Sequence, residues 1–70
     1  MTTINRTARN VADSLRLALQ TLEQAQAEML KSNDTDWAED ASVLHHTIGA
    51  LRMMLSQADV KAAAERKARA

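Results

Sequence analysis

Lys31-Ser32-Asn33-Asp34-Thr35-Asp36-Trp37 is a dense run of turn and cap residues in a chain otherwise built from helix formers. Asn33 is suited to the left-handed conformation that ends a helix. Asp34, Thr35 or Asp36 can cap the next one, and Asp36 with Glu39 has capping-box spacing. Asp36, Glu39 and Asp40 would also sit at the positive end of a second helix dipole. The run therefore reads as one turn between two helices. Its acidity has a structural explanation.

Apolar residues repeat on both sides of the turn in alternating steps of four and three. Upstream the seam is Ile4, Ala8, Val11, Leu15, Ala18, Leu22, Ala25 and Met29, with Ala12 and Leu19 widening one flank. Downstream it is Trp37, Ala41, Leu44, Ile48, Leu51, Leu55, Ala58 and Ala62. Such spacing is a heptad stripe, the signature of helices that pack along their length. Folding about Asn33 sets Met29 against Trp37, Leu22 against Leu44, Ala18 against Ile48, Leu15 against Leu51 and Val11 against Leu55. The expectation is one all-α domain over residues 1–70, an antiparallel helical hairpin. Helix one spans about 4–32 with Thr2 or Thr3 as its cap, the turn 33–35, and helix two 36–65, with a frayed tail to 70. Each arm is roughly 42 Å long at the helical rise of 1.5 Å per residue.

A hairpin of 70 residues leaves half of each seam in water. Pairing two hairpins into a four-helix bundle covers it, so a homodimer is expected with Val11, Leu15, Leu22, Leu44, Ile48, Leu51 and Leu55 at its core. Charge sets the expected direction. Arg6, Arg9 and Arg16 against Asp13 leave residues 1–16 at +2; residues 17–50, with Lys31 against six acids, stand at −5; residues 51–70 stand at +3. Two basic ends thus meet at one pole and the acidic turn lies at the other. An antiparallel dimer places unlike poles together.

Catalysis is not expected, and neither is a cofactor or metal. There is one glycine and no cysteine, which excludes thiolate metal sites and leaves no glycine loop to cradle phosphate. His45 and His46 have no second ligand at helical spacing: His45 sees Ala41, Ser42, Ile48 and Gly49, and His46 sees Ser42, Val43, Gly49 and Ala50. The lack of cysteine fits a reducing compartment, and a cytoplasmic location with no membrane span or signal-peptide core is expected.

Helix two carries a second stripe opposite its seam: Val43, His46, Ala50, Met53, Gln57, Val60 and Ala64, with Met54 nearby. Helix one has no equal stripe. Such surplus apolar surface, with methionine supplying adaptable contact, suits docking on a partner. The expected partner-binding residues are Trp37, Val43, His46, Met53, Val60, Arg6 and Arg9. Trp37, the only aromatic residue, either closes the bundle end or anchors a partner. The basic residues raise nucleic acid as a second possibility, without stacking aromatics beside them.

A hairpin of this size that dimerises into a four-helix bundle resembles the repressor-of-primer (Rop) family of plasmid RNA-binding proteins. Met1-Thr2, Thr7-Ala8, Asn10, Ala12, Arg16, Thr21-Leu22 and Glu28 carry the resemblance. It implies RNA gripped by the outer face of helix one. Asn10 matches that pattern, but Ser14 stands where an aromatic is expected and Ala18 where glutamine is. The chain is also similar in size to small phage-encoded proteins that disable host regulators or enzymes. The expected function is a non-enzymatic interaction module of a phage or plasmid that inhibits a host protein by occlusion. A Rop-like RNA binder and a purely structural oligomerisation unit are the alternatives.

Overall fold

The computed structural model describes residues 6–69, which form two helices, α1 (Thr7–Lys31) and α2 (Thr35–Arg69), with no strand among them. Ile4 and the caps expected at Thr2 or Thr3 lie outside the described residues. The helices run antiparallel. Gln26 donates to the Ala41 carbonyl near the turn, Glu23 pairs with Arg52 and Arg16 with Asp59 further along, and the Ala8 N–H meets Glu65 towards the open end. The chain is an all-α helical hairpin. α2 continues through the stretch expected to fray and ends at Arg69.

The turn closes differently from the expected scheme. No described residue has positive φ, so Asn33 is not left-handed. Instead Ser32 swings into an extended conformation, φ −75° and ψ 146°, and its N–H still reaches the Met29 carbonyl at 3.2 Å. The Ser32 hydroxyl accepts the Asp34 N–H at 3.1 Å, and the Asp34 carboxylate accepts the Asp36 N–H at 2.8 Å. Ala38 N–H to the Asp34 carbonyl, 3.2 Å, opens the helical ladder. Asp34 is therefore the cap, a contribution of about 1 kcal/mol. Asp36 lies inside the first turn, so the Asp36–Glu39 box is not the cap of α2.

The packing between the helices is narrow and rich in alanine. Ala8, Ala12 and Leu19 of α1 and Ala41, Ile48 and Ala58 of α2 are the buried residues. Four of these six are alanine, which lets the helix axes approach closely while Leu19 and Ile48 fill the space between them. Leu44, Leu51, Leu55 and Ala62 are half-buried beside them, so the α2 seam faces α1 along most of its length. Trp37 departs from it at the turn, where it is 47% exposed.

The α1 seam differs from its expected setting. Val11 is 44% exposed and Ala18 is exposed, while Ala12 and Leu19, expected only to widen the flank, face α2. At 3.6 residues per turn the apolar stripe of α1 is centred roughly 60° away from the line of contact with α2. The flank of Ala8, Ala12 and Leu19 faces α2 instead, and this setting also keeps the charged rims within reach of each other. Turning the stripe squarely onto α2 would carry Arg16 and Glu23 away from Asp59 and Arg52. In the observed setting Arg16 meets Asp59 at 2.7 Å and Asp13 at 3.5 Å, and Arg52 meets Glu23 at 2.9 Å. These are exposed pairs, each contributing between nothing and about 1 kcal/mol, but all lie on one side of the hairpin.

Candidate functional site

The hairpin has three surfaces of different character. On one side the polar rims of both helices close over the contact through the Arg16–Asp59 and Arg52–Glu23 pairs. A groove on that side, at the open end, is lined by Arg6, Arg9, Asp13, Arg16, Asp59 and Arg66. Arg6 and Arg9 thus share their surroundings with three carboxylates, those of Asp13, Asp59 and Glu65. That interleaving weakens the positive field a polyanion would meet, compared with an unbroken basic patch.

The opposite side is apolar. There Val11 and Leu15 of α1 line a groove with Met54, Ala58 and Lys61 of α2. Further round α1, Val11, Leu15 and Ala18 continue the apolar strip beside uncharged Thr7, Asn10 and Ser14. Leu22, Ala25 and Met29, all half-buried, extend it towards the turn.

The third surface is the outer face of α2. Val43, Met53 and Val60 are 66%, 69% and 70% exposed, and His46, Ala50, Gln57 and Ala64 between them are exposed too. From Val43 to Val60 the strip runs about 25 Å along the axis at 1.5 Å per residue. His46 stands edge-on to His45, with ring centroids 6.2 Å apart and an interplanar angle of 67°. Both rings are exposed. No group of three or more potential metal-ligating side chains occurs among the described residues.

No family model, curated protein or solved structure matches the chain. Among the described residues, no helix is long and apolar enough to cross a membrane.

The partner-binding residues expected from sequence do not form a single patch. Val43, His46, Met53 and Val60 share the outer face of α2. Trp37 lies on the azimuth of Ala41, Leu44 and Ile48, at the turn end. Arg9 in α1 and Arg6 just ahead of it lie at the far end of a hairpin 57 Å long. Half of each seam was expected to stay uncovered by the hairpin; the structure gathers that half on one side, with Met54 and Lys61 of α2 beside it. The signal of that uncovered half was the width of the α1 stripe: Ala12 and Leu19 beside Val11 and Ala18 make more apolar arc than one neighbouring helix can cover.

Gly49 lies in the middle of α2. A Cβ built there meets nothing within 4 Å, and φ is not positive. Gly49→Ala is therefore expected to stabilise the hairpin by about 0.5–1 kcal/mol, through helix propensity and a less flexible unfolded chain. Thermal or urea denaturation of the two proteins measures it, and a loss of stability would mean that the position is crowded in solution.

Proposed function

We propose that this chain is a non-enzymatic protein-interaction module, a small regulator that inhibits a partner protein by occluding its surface. The observation that carries this reading is the outer strip of α2. Val43, Met53 and Val60 face solvent directly opposite buried Ala41, Ile48 and Ala58, so the strip takes no part in the hairpin's own core. Exposed apolar side chains are ordinary singly, but here they repeat in register along one face of a straight helix. A groove or flat patch on a partner, such as a host regulator or enzyme, would receive them as a helix face. Trp37 at the turn and Arg6 and Arg9 at the open end would add separate contacts at the two extremes.

The double variant Met53→Glu/Val60→Glu tests the reading. Both positions are exposed, so helicity by circular dichroism and sedimentation behaviour should match the parent protein. Used as bait in parallel with the parent, the variant should lose whichever protein the parent retains, because two carboxylates would be forced against an apolar receptor. Retention of the same partner by a well-folded variant would exclude the outer face of α2 as the docking surface.

A further inference from the structure

The apolar side of the hairpin, distinct from the outer face of α2, has the geometry of a seat for another copy of this chain. Deepening the interaction-module reading above, we infer that two hairpins pack antiparallel through this side, with α1 against α1 of the second copy about a two-fold axis near Gln20.

The exposed area calls for such a partner. The chain exposes 5576 Å², whereas a compact folded chain of its 7.7 kDa mass would expose about 4,300 Å². The surplus, roughly 1,200 Å², exceeds the approximately 800 Å² that each partner buries in a standard interface. The Cα radius of gyration is 16.4 Å, against about 11 Å for a compact domain of this length. A second hairpin laid alongside would thicken the rod without lengthening it.

The sequence of the strip then sets the direction. Val11, Leu15, Ala18, Leu22, Ala25 and Met29 follow steps of four, three, four, three, four, which read the same from either end. An antiparallel second copy therefore meets the strip in register. Leu15 falls opposite Ala25 of the second copy, Ala18 opposite Leu22, and Val11 opposite Met29. Large side chains face small or slender ones throughout, as interdigitation requires. A parallel copy would oppose Leu15 to Leu15 and Ala18 to Ala18, alternating overfilled and empty layers. The isologous contact closes on itself, so assembly stops at two copies.

Charge agrees with this direction. On α2, Asp36, Asp40, Leu44, Thr47, Leu51, Met54, Ala58 and Lys61 follow one line of three- and four-residue steps on the apolar side. Among the described residues, Asp36, Asp40 and Lys61 have no ion-pair partner, whereas Arg16 and Arg52 are already paired on the opposite side. The two-fold brings Asp36 and Asp40 of each copy to the Lys61 end of the other. A parallel copy would set acid against acid. The strip's outer edge would bury no charge at Asn10, Ser14 or Thr21, and the Thr21 hydroxyl is already satisfied by the Leu17 carbonyl at 3.0 Å.

The chain has no cysteine, which makes the arrangement directly readable by cross-linking. Val11→Cys and Met29→Cys proteins, mixed in equal amounts and oxidised, should give chiefly the mixed disulfide. Disulfides linking like positions would overturn the antiparallel register. Sedimentation of the parent protein at micromolar concentration should show a dimer; a monomer or a larger assembly would overturn the inference. Ala18→Glu, at an exposed position and with a good helix former, should keep the helicity yet weaken dimerisation about a hundredfold or more, since the carboxylate would be buried unpaired. An undiminished dimer in that variant would overturn the inference as well. Met53→Glu/Val60→Glu should leave the dimer intact, so failure of the docking proposal and failure of this one are read in different experiments.

Discussion

Replacing Ile48 by alanine is expected to destabilise the hairpin by about 2–5 kcal/mol, enough to abolish the folded state of a chain this small. Ile48 is the largest fully buried side chain, 2% exposed, and the buried neighbours around it on the same contact are mostly alanines. Leu19, Leu44 and Leu51 around it are held in their own places on the contact, so the space it would leave fills only in part. The loss therefore combines the removed apolar surface with a cavity that persists. Chemical denaturation at fixed protein concentration measures the change, and Ile48→Val provides the scale. The smaller variant should lose about 0.5–1.5 kcal/mol. If Ile48→Ala retained the parent's midpoint, Ile48 would not be the centre of the core.

The converse experiment enlarges the alanines. Ala12 and Ala41 are both 2% exposed and lie on different helices near opposite ends of the contact. Ala12→Leu/Ala41→Leu inserts two isobutyl groups into the buried contact between the helices. Overpacking of this kind costs about 1–3 kcal/mol at each site, and separated sites add. A total loss of roughly 2–6 kcal/mol is expected from the pair. Circular dichroism should still show helix at low temperature while the unfolding midpoint falls sharply. Ala27→Leu is the control, because the same added volume enters an exposed position away from both contacts and should cost the hairpin little. Equal losses at buried and exposed alanines would mean that the helices are not held at the observed separation.

The hairpin itself was legible in the spacing of apolar residues around the turn. The seam of α2 from Ala41 to Ala62 could be read directly, because each of its members is buried or half-buried against α1. The α1 seam was legible as a stripe but not in its orientation. Heptad spacing says which residues share a face; it does not say which part of a wide face meets the neighbouring helix. That choice is a relation between residues far apart in sequence, such as Arg16 with Asp59 and Glu23 with Arg52, which meet across the contact. The turn was legible as a turn, and its cap only as one of Asp34, Thr35 or Asp36. Asp34 and Asp36 are chemically equivalent candidates, and the Ser32 hydroxyl, which holds the Asp34 N–H, decides between them.

The candidate surfaces were legible to different degrees. The outer strip of α2 followed from periodicity alone, since any helix with two opposed apolar stripes must expose one of them. The scatter of Trp37, Arg6 and Arg9 did not follow, because they were grouped by chemistry and the fold separates them. The apolar side was legible only as the uncovered half of each seam, not as a particular set of residues. Val11, Leu15 and Ala18 were all assigned to the seam, and the hairpin's own contact needs only part of it.

The short connection Ser32-Asn33-Asp34 also has a kinetic consequence. Loop-closure entropy rises only with the logarithm of the intervening length, but it must be met before any contact across the helices is rewarded. Gln26 and Ala41 are separated by 15 positions, Glu23 and Arg52 by 29, and Ala8 and Glu65 by 57. Each pair formed near Asn33 shortens the loop that the next must close. The hairpin thereby has a built-in order of assembly, zipping from the Asp34 cap outwards and opening first at Ala8 and Glu65.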